Sequence, residues 1–132
     1  MMKAEIIYFS ATGTTRKIVK AMSQGLGCEV HFTDITLPES RERYQPVESD
    51  FVVMATPIYG ERIPRFVYHF FKQINGNGRP LAVVSVYGNM GYGISLAQFK
   101  DLAEENRFHL IAAGAFIAEH SYASKRAPVG LG

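Results

Sequence analysis

The chain has 132 residues, of which 47% are apolar and 20% are charged, and its formal net charge is +2 at pH 7. These values are ordinary for one globular domain with a single core, and the chain is too short for two such domains. No run of Lys and Arg exceeds two residues, so a nucleic-acid-binding face is not indicated.

The chain contains one cysteine, Cys28, which excludes a disulfide and a cysteine-ligated iron–sulfur cluster within it. No apolar run approaches the roughly 20 residues that a membrane-spanning helix needs. The strand-like segment AEIIYF begins at residue 4 and leaves no room before it for a secretory signal. We therefore expect a cytoplasmic protein with no membrane partner.

Strand-length apolar runs recur along the chain. Four of them are continuous rather than alternating, which is typical of strands that are buried on both faces of a parallel sheet. A weaker fifth run, residues 29–33, alternates apolar and polar side chains, as an edge strand does. The four continuous runs are residues 5–9, 51–56, 81–87 and 110–117.

Three segments between these runs have the i, i+3, i+4 spacing of an amphipathic helix. Pro64 lies near the start of the second segment, where a helix accepts proline, and the glycines of residues 75–78 end it. Residues 36–49 contain two prolines and no apolar stripe, so we predict a loop there. The three stripes are Ile18, Val19, Met22 and Leu26; Ile63, Phe66, Val67, Phe70, Phe71 and Ile74; and Leu96, Phe99, Leu102 and Ala103.

This order of strands and helices predicts an α/β fold with a doubly wound parallel sheet in one domain, residues 1–132. Both faces of such a sheet need cover. The segment EHSYASKRAPVGLG, which follows the last strand, contains no amphipathic helix. We expect that the chain is part of a longer protein; the alternative is that a partner subunit covers the sheet.

The junction of the first strand and the first helix concentrates hydroxyl groups around a glycine, in the sequence SATGTT, residues 10–15. Backbone N–H groups at a helix N-terminus attract anions, hydroxyls add donors, and Gly13 permits a tight turn. One Ser or Thr is enough to cap a helix, so we favour a phosphate-binding loop over a cap. The segment lacks both the Walker A lysine pattern and GxGxxG.

Two more loops leave strands at the same predicted edge, where α/β sheets bind ligands. The loop TPIYGERIP, residues 56–64, has a proline near each end and Gly60 in its middle. The alternative to a ligand-binding loop is a surface turn. The loop YGNMGYG, residues 87–93, contains three glycines. For this loop the alternative is a flexible turn between strand and helix.

The first loop resembles the phosphate loop of the flavodoxin family, whose pattern is (Ser/Thr)-x-Thr-Gly-x-Thr. The resemblance extends over residues 3 to about 120. It implies a flavodoxin-like sheet of five strands in the order 2-1-3-4-5, whose final helix we do not find in this chain. It also implies the cofactor FMN, with its 5′-phosphate held by Ser10, Ala11, Thr12, Gly13, Thr14 and Thr15.

By the same resemblance, the other two loops hold the isoalloxazine ring. Tyr59 would lie near its inner face, and the Gly60–Glu61 peptide would flip to accept a hydrogen bond from reduced N5. In the third loop, Tyr92 would stack on the outer face, although Ile94 replaces the acidic residue common in the family. The implied residues are Pro57, Ile58, Tyr59, Gly60, Glu61, Tyr87, Gly88, Asn89, Met90, Gly91, Tyr92 and Gly93.

These implications favour an FMN-binding electron-transfer module. An FMN-dependent NAD(P)H or quinone reductase is a second hypothesis, which Tyr92 over the ring disfavours, and a flavin-free interaction module is a third. Residues 114–122 resemble flavodoxin domains that open larger ferredoxin-containing flavoproteins, which implies a redox partner protein or a tethered iron–sulfur domain. His120 is a weaker candidate for a role near the flavin. Typical flavodoxins are strongly acidic, and this chain is not.

Overall fold

The computed structural model describes residues 2–88 and 93–117. Within them, five parallel strands form one sheet in the order β2-β1-β3-β4-β5, with helices in the connections. The predicted α/β fold and strand order are confirmed. The strands are β1 Lys3–Tyr8, β2 Glu29–Asp34, β3 Phe51–Pro57, β4 Pro80–Tyr87 and β5 His109–Ile117.

The three predicted helices are present as α1 Thr14–Gln24, α3 Arg65–Phe71 and α4 Gly93–Glu105. The prediction of a loop over residues 36–49 is wrong in part, because a short helix, α2, spans Pro38–Glu42. Pro38 is at its first position, where a missing N–H costs nothing. Arg41 Nη1 donates to the carbonyls of Ile35, at 2.8 Å, and Thr36, at 3.2 Å, which ties α2 to the end of β2.

The core consists of two layers, one on each face of the sheet. Alternate strand residues point to opposite faces, so Ile7 and Met54 pack beside α3 and α4, while Ile6 and Val53 pack beside α1. The apolar stripe of α3 is buried, with the exception of Phe66, which is 43% exposed. β2 is at one edge of the sheet and is only half-buried, as its alternating pattern predicted.

β5, at the other edge, has little cover. Phe116 pairs in register with Val86, which belongs to the core layer beside α1, and it is 42% exposed. Among the described helices, α1 packs on that face over β1 and β3, and α4 packs on the opposite face. The α1 face of β5 is therefore open in the described part of the chain, whereas Val84 and Val86 of β4 on the same face are buried.

None of the described helices is long and apolar enough to cross a membrane.

Candidate functional site

The strand order brings three loops together at the carboxyl ends of neighbouring strands. The order reverses between β1 and β3, which opens a crevice between the segments that follow them. Backbone hydrogen bonds continue the sheet beyond the strand ends: Phe9 N–H donates to Ala55 O at 3.1 Å, and Ile58 N–H donates to Val86 O at 2.8 Å. We call this the carboxyl edge of the sheet.

The first loop makes a left-handed turn directly into α1. Gly13, the residue before the helix, has φ 92°, a conformation that residues with a Cβ avoid. Lys17 N–H donates to Gly13 O at 3.1 Å, which starts the helix, and Arg16 N–H donates to Ser10 Oγ at 3.0 Å. The Ser10 hydroxyl therefore closes the loop onto the first turn of α1.

This loop presents a row of unpaired donors. Within the described residues, the backbone N–H groups of residues 11–15 have no hydrogen-bond acceptor. The hydroxyls of Thr12 and Thr14 lie 3.4 Å apart beside them, while Thr15 is buried. Unpaired amides at the positive end of a helix bind phosphate well, so the loop is suited to an anion.

A residue that sequence reasoning missed holds the start of the loop. Ser10 N–H donates to Thr36 Oγ1 at 3.0 Å, and Thr36 N–H in turn donates to Asp34 Oδ1 at 2.9 Å. The short turn after β2 thus fixes the position of the first loop. The sequence signal, an Asp two residues before a Thr after an edge strand, is typical of a turn in general and does not reveal this contact.

A buried tyrosine lies beneath the loop. Burial raises the pKa of Tyr8, and the neighbouring Asp34 carboxylate raises the pKa further, while Arg16 opposes both. Tyr8 is therefore neutral at physiological pH.

The second loop is a two-residue hairpin. Tyr59 N–H donates to Arg62 O at 2.9 Å, and Arg62 N–H donates to Tyr59 O at 3.1 Å. The two residues between them, Gly60 and Glu61, have φ 57° and 69°, the signs of a type I′ turn. The hairpin presents the Tyr59 ring, 54% exposed, while Ile58 is buried beneath it.

The end of this loop is fixed by α4, through a contact that the sequence does not signal. Ile63 N–H donates to Gln98 Oε1 at 2.8 Å, across 35 residues of sequence. The second loop is thereby joined to the helix that follows the third loop.

The third loop is described only at its ends. Tyr87 and Gly88 leave β4 half-buried, and Gly93 begins α4. Asn89, Met90, Gly91 and Tyr92 lie outside the described residues, as does His120. The structure thus brings the predicted residues of the first two loops, with Tyr87, Gly88 and Gly93, to one edge of the sheet.

A separate polar cluster joins β1, β2 and the segment before β3. Glu5 is buried and accepts hydrogen bonds from Thr33 Oγ1 at 2.9 Å and from the Tyr44 hydroxyl at 3.0 Å. Burial raises the pKa of the Glu5 carboxyl above its ordinary 4.5, and burial with the nearby carboxylate raises the pKa of Tyr44. These groups satisfy one another, and no cluster of metal-ligating side chains occurs in residues 2–88 and 93–117.

Comparison with known proteins identifies the family. The sequence matches the family described as a flavodoxin domain over residues 5–106. The chain belongs to the flavodoxin domain family. The match runs from β1 to the end of α4 and includes all three loops of the carboxyl edge. No curated protein sequence matches the chain significantly.

Solved structures share the fold of this flavodoxin domain. A Lactobacillus acidophilus NCFM flavoprotein in complex with FMN superposes with a TM-score of 0.69 at 9% identity, over 87% of this chain and 93% of that chain. A Streptococcus pneumoniae TIGR4 flavodoxin superposes with a TM-score of 0.64 at 20% identity, over 94% and 91%. A Fusobacterium nucleatum flavodoxin bound to flavin mononucleotide gives 0.64 at 15%, over 84% and 70%. At these identities the likeness establishes the fold.

Proposed function

We propose that this flavodoxin domain binds FMN at the carboxyl edge of its sheet and transfers electrons one at a time. The observation that carries the proposal is the row of unpaired amides in residues 11–15 at the start of α1. Two of the flavodoxin-fold proteins compared above are recorded with this cofactor.

The described residues fit the phosphate of FMN. One loop carries both kinds of donor: the five backbone amides of residues 11–15, none of which belongs to proline, and the hydroxyls of Ser10, Thr12 and Thr14. Hydrogen bonds from amides to a phosphate are charge-assisted, and the α1 dipole adds to them, so the loop needs no lysine at its centre. These residues would bind the phosphate and orient the cofactor.

The hairpin of the second loop fits a planar ring. Tyr59 presents an aromatic face at the same edge, and Gly60 has no atom within 4 Å of the position that a Cβ would occupy. A planar ligand therefore has space to approach the Gly60 backbone. The peptide between Gly60 and Glu61 would form or release a hydrogen bond to the flavin as the flavin gains or loses a proton. When bound, FMN supplies the redox chemistry, and these residues exclude water and tune it.

The open α1 face of β5 supports a further part of the proposal. The apolar side chain of Phe116 is exposed there, although a parallel sheet is normally covered on both faces. We propose that a helix of a longer chain or a partner subunit covers this face in the functional protein, and that the electron partner is a redox protein or a tethered iron–sulfur domain.

The first experiment is FMN binding followed by stepwise reduction. The chain is incubated with FMN, separated by gel filtration and reduced anaerobically while the absorption spectrum is recorded. We expect retained flavin and two resolved one-electron steps. A single two-electron step, together with oxidation of NADPH by the loaded protein, would instead support a reductase. Loss of all flavin would overturn the proposal for this chain.

A Thr12→Val/Thr14→Val variant serves as the test of the site. It removes two hydroxyls and leaves the backbone amides, so we expect affinity for FMN to fall about tenfold or more, at about 1 kcal/mol for each lost hydrogen bond. Affinity for riboflavin, which lacks the phosphate, should not change. An equal loss for both ligands would place the phosphate elsewhere.

A further inference from the structure

We propose that a surface beside the first loop docks a negatively charged protein. The surface consists of Leu37, Arg41, Arg62, Arg65 and Phe66, and we call it the α2–α3 patch. The inference deepens the proposed electron-transfer function and rests on it for the identity of the docked protein as a redox partner.

Exposed apolar side chains are the first observation. Leu37 is 59% exposed, and Phe66 is exposed although Val67, Phe70 and Phe71 of the same helix are buried. Large exposed apolar groups that cluster at a functional edge are typical of protein contact sites.

The patch adjoins the first loop directly. The ring of Phe66 packs edge-on against Phe9, with centroids 5.0 Å apart, and Phe9 immediately precedes Ser10. On the other side of the patch, Leu37 follows Thr36, whose hydroxyl accepts the Ser10 N–H. A protein seated on the patch therefore borders the loop that we assign to FMN.

Arg41 is held in place at the centre of the patch. Its guanidinium lies 4.7 Å from the centre of the Phe66 ring, and its Nη1 donates to two backbone carbonyls. The Nε and Nη2 donors have no acceptor among the described residues. A fixed guanidinium with free donors binds a carboxylate at a small entropic cost.

The cations of the patch form no ion pair with a carboxylate of the described residues. Ion pairs between described residues occur at Lys3–Glu29, where β1 and β2 begin, and at Lys72–Glu105, where α3 and α4 end. Arg62 and Arg65 are exposed, and Glu39, Glu42 and Glu61 are the carboxylates on the same loops and helix. The patch carries three cations within its own residues and has no carboxylate paired to them within 4 Å.

The positive charge of the described chain is concentrated at this edge. The carboxyl-edge loops, α2 and the first helical turns carry one more cation than carboxylates, and the remaining described residues carry equal numbers of the two. Opposite potentials favour association, so the edge suits an acidic partner. The charged residues of the edge are Arg16, Lys17, Arg41, Arg62 and Arg65 with Asp34, Glu39, Glu42 and Glu61.

A cleft in the patch gives the partner a place to insert a side chain. It has a volume of about 370 Å³, lies between α2 and α3, and is lined by Arg41, Phe66 and His69 among others. Glu42 also lines the cleft, so an acidic side chain of the partner would bind at the Arg41 guanidinium, beside the apolar Phe66 ring. The exposed Leu37 and Phe66 side chains favour a protein over a nucleic-acid backbone, which has no apolar side chains to pack against them.

Binding is tested on the full chain without reliance on flavin. The 15N-labelled chain is titrated at low ionic strength with three probes: an acidic plant-type [2Fe–2S] ferredoxin, basic cytochrome c, and a single-stranded oligodeoxynucleotide. We expect the ferredoxin to shift the amide signals of the patch, and the shifts to disappear at about 0.5 M salt, where charges are screened beyond a few ångströms. Patch shifts with cytochrome c, or with the oligodeoxynucleotide in place of the ferredoxin, would overturn the proposal.

A matched pair of variants distinguishes the effect of the patch on binding from the effect of net charge. Arg62→Glu/Arg65→Glu should weaken ferredoxin binding about tenfold or more. Lys100→Glu/Arg107→Glu changes the net charge equally on and after α4, away from the patch, and should change binding by less than about twofold. Equal loss in both variants would refute a docking site at the patch.

Flavin retention, measured separately, distinguishes the two proposals. A chain that retains FMN but gives no patch shifts refutes the docking surface alone. A chain that gives patch shifts but retains no flavin refutes the FMN proposal and supports the surface. With retained flavin, the rate of electron transfer to the ferredoxin should fall with salt and fall further in the Arg62→Glu/Arg65→Glu variant.

Discussion

The two edges of the sheet differ in how they use their polar groups. At the amino-terminal edge, the Arg79 side chain donates to Gly76 O, Asn75 O and Ser49 Oγ, and Asn106 Nδ2 donates to the carbonyls of Lys72 and Ile74. At the carboxyl edge, the amides of residues 11–15 have no partner in the described chain, and two consecutive hairpin residues have positive φ. The first edge is closed by internal hydrogen bonds, whereas the second is left open to a ligand.

The comparison predicts that changes at the closed edge affect stability most. A Cβ at Gly76 would lie 2.5 Å from Arg107 O and 2.6 Å from the Phe108 ring, so Gly76→Ala should lower the free energy of unfolding by about 3 kcal/mol. Urea denaturation measures it. Gly25→Ala, whose Cβ would meet its nearest atom at 3.7 Å, is the control and should change stability little. Equal stability of both variants would mean that the turn at Gly76 shifts freely.

The open edge should respond first in ligand binding. Gly13→Ala forces a Cβ into the left-handed conformation at φ 92°, which costs about 1–2 kcal/mol. Because the loop relaxes to avoid this cost, we expect FMN affinity to fall about tenfold, measured by fluorescence quenching. An unchanged affinity would show that the turn at Gly13 does not shape the site.

Thr36 tests whether the turn after β2 positions the first loop. Thr36→Val removes the acceptor of the Ser10 N–H and should weaken FMN binding about fivefold, at about 1 kcal/mol for the lost hydrogen bond. Thr36→Ser keeps the hydroxyl and should bind as the parent does. If both variants bind alike, Thr36 has no positioning role.

The smallest effect is the pH dependence of stability that comes from Glu5. The pKa of Glu5 is raised in the folded chain by burial, so the folded state binds its proton more tightly than the unfolded state does. Its contribution to stability is fully present below pH 4.5 and is lost as the pH rises through the raised pKa. Relative to Glu5→Gln, the parent should therefore lose stability across that window in denaturation series. A constant difference between the two proteins contradicts the assignment.

Much of the fold was predictable because the pattern is local. Continuous apolar runs marked the central strands, alternation marked β2, and the spacing of Phe70, Phe71 and Ile74 marked α3. α2 was missed because it has five residues and none is buried, so it leaves no stripe, and Pro38 resembles a helix breaker.

The local part of the site was predictable for the same reason, and its long-range contacts were not. The loop SATGTT was found because donors, glycine and helix start are adjacent in sequence. Thr36 and Gln98 were not found, since they meet the loops across 26 and 35 residues of chain and nothing local marks them. The predicted roles of Asn89, Met90, Gly91, Tyr92 and His120 stay predictions.

The sparse cover of β5 has a consequence for handling the protein. Its sequence, HLIAAGAFI, contains no proline, lysine or carboxylate, the residues that protect an exposed edge from pairing with another strand. Among the described residues no strand pairs with the outer side of β5, so we expect a second molecule to add a strand there. At high concentration this chain is therefore expected to aggregate through β5. A charged substitution such as Ile111→Lys should raise its solubility without changing the loops at the two ends of the strands.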